Sequence, residues 1–326
     1  MSKFIYCFNI LIIVLAFGFS TAAGAGYPDK PVTFINQSVG GGGVDIALRG
    51  LAKEMQTILG QPVLVESRAG AGGLIAGEYV AKAKPDGYII GCFQPPQANP
   101  DVFTPIRKAP YSNADFRYVV RYMYLPYLLV SRAGAPWKDA KDFIKYIQHN
   151  PNKVTWGHTI TRGHPNHLLA YSLFKKNQLK VIEVPFAGTA EAIVSLLGGH
   201  IDVAYAVSVT SVQGHIKAGK LVALAQQSEQ RLSTLPDIPT FKEMGLSPIT
   251  DPVYNVLVVP KRTPEEVVKK IHDTVKAAME TPSLKAYAAK NVFELYYGSE
   301  ATILEDLKTE RELVGPLVEE ISKLPK

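Results

Sequence analysis

The sequence predicts an α/β protein of two lobes, each built on a mainly parallel sheet flanked by helices, with two crossovers joining the lobes. Three observations lead there. Short β-branched runs alternate with amphipathic stretches along most of the chain, which is the pattern of βα units. Glycine clusters stand where such runs give way to helical spacing. A chain of 326 residues with 47% hydrophobic content can bury a substantial core, and that length favours two lobes over one.

The elements follow in order. "PVTFIN" (Pro31 to Asn36) reads as the first strand. After Gly40 to Gly43, the residues Leu48, Leu51, Met55 and Ile58 recur at helical spacing until Gly60. "PVLVES" is a second strand, a helix runs from about Gly73 to Ala83, and "DGYIIGCF" is a third strand holding Cys92, read as buried and inert. The middle of the chain has strands near Leu128 to Ser131, Val181 to Val184, Asp202 to Ala206 and Leu221 to Ala225. Helices lie between them at Trp137 to Asn150, Pro165 to Lys176, Thr189 to Leu197 and Ser211 to Ala218. A Pro-rich passage, Leu235 to Pro252, precedes the strand "YNVLVVP". Thr263, Pro264 and Glu266 then read as a capping box with proline at the first helical position, opening a helix to about Glu280. Helical stretches near Pro282 to Lys290 and Ser299 to Ser322 close the chain.

The first 25 residues stand apart. Lys3, an apolar run from Phe4 to Phe19 and small residues up to Ala25 have the layout of a secretory signal peptide cleaved near Ala25. A membrane anchor is the competing reading, but Asn9 interrupts the run, which is shorter than the roughly 20 residues of a typical span. Cleavage removes Cys7 and leaves Cys92 as the single thiol, so no internal disulfide can form. An exported chain without bridges points to the bacterial periplasm. The net charge of +6 is spread without a Lys/Arg block or basic stripe, which argues against nucleic acid as a partner. A mild positive field would gather small anions.

The stretch "VGGGGVD" (Val39 to Asp45) carries the functional argument. Glycine permits positive φ and lets backbone amides face a ligand directly. At a strand-to-helix junction those amides converge on the positive end of the helix dipole, an anion site. Neither nucleotide fingerprint fits: G-x-G-x-x-G lacks its third glycine and G-x-x-x-x-G-K-[ST] is absent, so a carboxylate is expected. A tight turn with no ligand is the plainer alternative. A second loop, "SRAGAGGLIAGEY", repeats the form with Gly70, Gly72 and Gly73, and Arg68 either adds charge there or is an ordinary surface arginine. Two such loops in neighbouring βα units open at the carboxyl edge of one sheet, where ligands sit in open α/β folds.

Taken together, "YPDKPVTFI", "GGGVDIALRGLAKEMQTILGQPVLVESRAGAGG", "VPFAGTAEAIVSLLGGHIDVAYA", "RLSTLPDIPTFKEMGL" and "VVPKRTPEEVV" resemble, in order and spacing, the substrate-binding receptors of tripartite tricarboxylate transporters, the Bug-type family. The resemblance covers nearly the whole mature chain. It implies a type II periplasmic binding protein that closes on a small carboxylate and hands it to membrane permease subunits, with no catalysis, no cofactor and a monomeric state. The implied layout is residues 26–126 in the first lobe, 127–252 in the second and 253–326 back in the first. The crossovers fall near Tyr124 to Val130 and Thr250 to Val256.

Against the family loop P-F-P-P-G-G-G-T-D, Gly41, Gly42, Gly43 and Asp45 match, while Ser38 replaces phenylalanine, Gly40 a proline and Val44 a threonine. Asp45 is expected to act through local hydrogen bonds or a bridging water; as an acid in a helix's first turn it also needs no ligand. In "VPFAGTAEA", Phe186 replaces the family's tyrosine and Ala187 its lysine, while Gly188 and Thr189 keep amides and a hydroxyl at a helix start. "GHTITRGHPNHLL" matches the family's Gly- and Ser/Thr-rich loop before a His-Leu pair at His167 and Leu168, with Thr159, Thr161 and Gly163 as donors. Ser208 stands in a stretch that often carries aspartate. One ligand carboxylate is expected on the amides of Gly41, Gly42 and Gly73, and Thr161, Gly188, Thr189 and Ser208 form the far wall.

Rival readings are weaker. His158, His164 and His167 suggest a metal, but no cysteine or clustered carboxylate lies near them in sequence, so none is assigned. His164, private to this chain, could instead meet a ligand carboxylate when charged. A hydrolase lacks G-x-S-x-G, S-x-x-K with its partners and H-E-x-x-H. Delivery of the ligand state to a membrane sensor kinase would use the same closed surface as transport.

Overall fold

A computed structural model describes residues 26–94, 98–159, 165–186, 188–228, 230–232, 234–246 and 254–323. The signal-peptide reading, most of the second crossover, and Thr161, Gly163 and His164 therefore lie outside the described residues.

The chain opens with β1 (Val32–Asn36), α1 (Gly43–Leu59), β2 (Val63–Ser67), a single 3-10 turn (Ala71–Gly73), α2 (Leu74–Ala81), β3 (Ile89–Phe93) and a short α3 (Pro100–Phe103). It then runs through β4 (Phe116–Tyr124) directly into β5 (Tyr127–Arg132). Next come α4 (Ala140–His149), β6 (Thr155–Thr159), α5 (Pro165–Lys176), β7 (Ile182–Phe186), α6 (Thr189–Leu197), β8 (Val203–Ser208), α7 (Val209–Lys217) and β9 (Leu221–Gln227). The last part holds β10 (Tyr254–Pro260), α8 (Glu265–Glu280), α9 (Pro282–Asn291), β11 (Glu294–Gly298) and α10 (Glu300–Ser322).

These strands make two sheets, one ordered β11-β4-β10-β3-β1-β2 and one ordered β7-β6-β8-β5-β9. Both are mixed rather than mainly parallel. β1 runs parallel to β2 and β3, whereas β10 is antiparallel to β3 and β4, and β11 to β4. In the second sheet β6 is parallel to β7 and β8, and β5 is antiparallel to β8 and β9. The cause is the connection between sheets: β4 leaves the first and β5 enters the second with only Leu125 and Pro126 between them. Strands joined by crossovers run against the βα units on either side.

Helix α1 shows why the sequence folds this way. Leu48, Leu51 and Met55 are buried on the core side, each contributing about 1.5–3 kcal/mol; Ile58, the fourth periodic position, is exposed. Cys92 is buried as expected, and burial pushes its thiol pKa up. Thr263 does not cap: its hydroxyl donates to the Pro260 carbonyl, and α8 begins after Pro264 without a side-chain cap. The strands β4, β6 and β11 were not legible in the sequence.

The last helix touches both halves of the molecule. Ile303 and Leu307 of α10 pack with Phe93, Tyr118 and Val258 of the first sheet. Val314, Leu317, Val318 and Ile321 pack with Val102 and Phe103 of α3 and with Leu168 of α5. Glu320 accepts from the Tyr171 hydroxyl at 2.8 Å and pairs with Lys175, both on α5.

Candidate ligand-binding site

β1, β2 and β3 end in register, with Asn36 opposite both Ser67 and Cys92. Their carboxyl edge carries the two glycine loops. Gly41 has φ of 83°, a conformation that costs a residue with a Cβ about 1–2 kcal/mol. Gly42 is extended (φ −78°, ψ 169°) and is the N-cap of α1, with no side chain capping the helix.

The buried carboxylate of Asp45 organises this turn. Its Oδ2 accepts from the Gly41 amide at 3.0 Å and from Arg49 Nε at 2.8 Å, and its Oδ1 from Asn36 Nδ2 at 3.4 Å. Burial by itself raises the Asp45 pKa, but the hydrogen bonds from Arg49 and Gly41 outweigh it and hold the carboxyl below its usual range. The Gly41 N–H, expected to face a ligand, is thus engaged by Asp45 within the loop. A helix cannot satisfy its own first amides. Among the described residues those of Gly42, Gly43 and Val44 make no hydrogen bond, so they are the donors available at the positive end of α1. Ser38 lies just before them, its amide held by Asn36 Oδ1 at 3.0 Å.

The second loop is tighter. Gly72 and Gly73 have φ of 62° and 92°, and the Gly73 amide donates to the Gly70 carbonyl at 2.8 Å. Gly73, expected to face a ligand, therefore has its amide engaged in closing a turn. The Gly72 carbonyl accepts from Arg107 Nη1 at 2.8 Å, and a Cβ at Gly72 would lie 2.3 Å from that nitrogen. Arg107 is the cation of this loop; burial lowers its pKa. Arg68 is instead paired with Glu66 at 2.7 Å and stacked on Tyr79.

The residues expected to form the far wall stand at the carboxyl ends of β6, β7 and β8. Phe186 ends β7 opposite Thr159, and Gly188, extended at φ −165°, is the N-cap of α6 ahead of Thr189. Thr189 is the first helical residue rather than a side-chain cap. Ser208 ends β8 opposite Tyr127, its hydroxyl sharing hydrogen bonds with Thr210 at 3.2 Å and Ser211 at 2.6 Å. The crossover links the two walls. A Cβ on Gly43 would lie 3.1 Å from the Leu125 side chain, and Tyr127, two residues on, is the partner of Ser208.

Buried amides that sequence reasoning missed stand beside this crossover. Gln94 and Gln37 bond each other, with Gln37 Nε2 donating to Gln94 Oε1 at 3.3 Å. Asn255 lies one residue beyond the Val256–Phe93 pair, which puts it across from Gln94. Among the described residues, both side-chain atoms of Asn255 and the Nε2 atoms of Gln94 and Gln227 are buried without a hydrogen-bond partner. Unpartnered buried amides are costly and uncommon. Amide residues at strand ends carry no sequence signal of their own.

The tripartite tricarboxylate transporter family receptor model matches residues 47–322. The chain belongs to this receptor family. The receptor is 31% identical over 281 residues to a UPF0065 protein from the gbd 5' region of Cupriavidus necator, covering 83% of this chain and 81% of that one. Its fold matches a TctC solute-binding protein from Polaromonas at 28% identity and a TM-score of 0.71, over 89% of this chain and 99% of that one. The periplasmic binding protein BugD matches at 27% identity and a TM-score of 0.72, over 90% and 98%. The receptor thus shares the two-lobed α/β fold of solute-binding proteins. Among its described residues no helix is long and apolar enough to cross a membrane.

Proposed function

We propose that this receptor is exported to the periplasm, captures a small carboxylate between its lobes and delivers it to the membrane subunits of a tripartite tricarboxylate-type transporter. The observation that carries the reading is the start of α1, where the amides of Gly42, Gly43 and Val44 have no partner among the described residues while Asp45 is already neutralised by Arg49. An anion is stabilised there by charge-assisted hydrogen bonds and by the helix dipole together. Were Asp45 unpaired, it would repel the same anion.

In this reading residues 26–126 and 253–326 form one lobe and 127–252 the other. A ligand carboxylate sits on α1, beside Ser38 and the Gly72 loop. Gly188, Thr189, Ser208 and Phe186 meet the rest of the ligand, together with Thr161, Gly163 and His164. A ligand contacting both walls binds the closed form more tightly than the open one and shifts the equilibrium towards closure. The membrane subunits then recognise the closed surface.

Thermal unfolding of the purified mature chain against a panel of mono-, di- and amino-carboxylates, each paired with its uncharged amide, tests this. At 100 times its Kd a ligand stabilises by about 2.7 kcal/mol. The expected result is stabilisation by at least one acid and none by its amide. Equal shifts from acid and amide, or none across the panel, would reject a carboxylate receptor.

A further inference from the structure

We infer that His158, His167 and Glu183 form a binding site for one divalent transition-metal ion of the zinc class. The three residues come from different elements: His158 from β6, His167 from the first turn of α5 and Glu183 from β7. Glu183 follows His167 by 16 positions and is brought to the histidines by the pairing of β6 with β7, where it stands opposite Trp156. That carboxylate is the one missing from the sequence-level metal reading.

The donor atoms converge. His167 Nε2 lies 3.5 Å and His158 Nε2 3.8 Å from the same oxygen, Glu183 Oε2. One ligand atom from each residue can be chosen so that all lie within 4.8 Å of one another. Bonds of about 2.0–2.1 Å in a tetrahedral zinc site put donor atoms about 3.3 Å apart, so shifts of less than about one ångström per residue would close the set.

The surroundings fix these rings. His158 is 3% and His167 0% exposed. Trp156 packs against both, at ring separations of 5.0 Å from His158 and 5.8 Å from His167, and Tyr171 stacks on His167 at 5.7 Å. Aromatic walls that hold ligand orientation and exclude solvent strengthen metal coordination. Two imidazoles and one carboxylate suit zinc, whereas calcium and magnesium want an all-oxygen set. The site sits one to three residues inside the strand ends that carry Thr159 and Phe186, so a bound ion would brace the far wall of the ligand site. The assignment stands independently of which solute is bound.

The test uses the mature chain free of any polyhistidine tag, stripped with chelator and dialysed against micromolar ZnCl2, with bound metal counted by mass spectrometry. One equivalent per chain is expected. The stripped protein should also take Co2+ and show the visible bands of a four-coordinate ion. Glu183→Gln, which keeps the volume of a partly exposed side chain, should weaken zinc binding by at least about tenfold; His158→Gln should do the same, with circular dichroism verifying the fold of each. Absence of saturable binding to the stripped wild type would overturn the assignment. So would an equivalent retained undiminished by folded Glu183→Gln.

Discussion

Gly42→Leu separates binding from folding. Gly42 has an extended backbone that any residue adopts, and a Cβ there would meet only the Val39 carbonyl oxygen, at 3.8 Å. The folding cost is that of a poor N-cap in place of glycine, about 0.5–1 kcal/mol. At the proposed site the added side chain would crowd a carboxylate away from the amides of Gly43 and Val44. Losing two hydrogen bonds to a charged ligand, at about 1.5–3 kcal/mol each, removes roughly 3–6 kcal/mol. That corresponds to about two to four powers of ten in Kd. Gly41→Leu is the contrast, because its φ of 83° imposes strain on any side chain. Calorimetric titration with the acid found by thermal screening reads the binding loss, and urea unfolding reads the stability. If Gly42→Leu bound within threefold of wild type, or unfolded more readily than Gly41→Leu, the start of α1 would not be where the carboxylate sits.

Three further outcomes follow from the same structure. Asp45→Asn should remove a stabilisation that, because the folded pKa is depressed, is present above the ordinary carboxyl range and lost as pH falls through the folded value; urea midpoints at pH 7 and pH 3 should converge in the variant. Glu310 has its pKa pushed up to about 7 by burial, against the Asn99 hydrogen bond that favours the charged form. A raised carboxyl means the folded state holds the proton longer, so stability should fall as pH rises from about 4.5 to 7, and Glu310→Gln should flatten that slope. Asn255→Leu removes a buried amide with no partner among the described residues and should stabilise the ligand-free protein by about 1 kcal/mol in urea unfolding. If Asn255 serves the ligand, the same variant binds it more weakly.

The parts of the fold governed by local pattern were readable. The 3.6-residue spacing of Leu48, Leu51 and Met55 located α1, and β-branched runs located β1, β2 and β3. β4 was hidden by Arg117 and Arg121, charges that look wrong for a central strand. Arg121 is tolerated there because Asp306 pairs with it and Tyr296 stacks on it, both far along the chain. β6 was hidden by His158, whose setting depends on Trp156 and α5. The glycine loops were readable, but that the Gly41 and Gly73 amides already have internal partners was not. Composition locates a cluster of exposed amides, while the direction of the Asp45 side chain decides which of them is already used. Arg107 and Asn255 reach their positions only through tertiary contacts.

Helix α10 has a mechanical consequence. Its first half is seated on one sheet, and its second half lies against α3 and also against α5, which flanks the other sheet, so a rod of 23 residues, about 35 Å long, touches both. Parting the halves cannot be pure rotation about the two connecting segments. Leu168 and Tyr171 must also glide along the face formed by Val314, Leu317 and Ile321, or the rod must flex at Pro316, where a backbone hydrogen bond is missing. Shortening the chain ahead of Val314 would remove that contact with Leu168 and, with it, the cover over Val102 and Phe103.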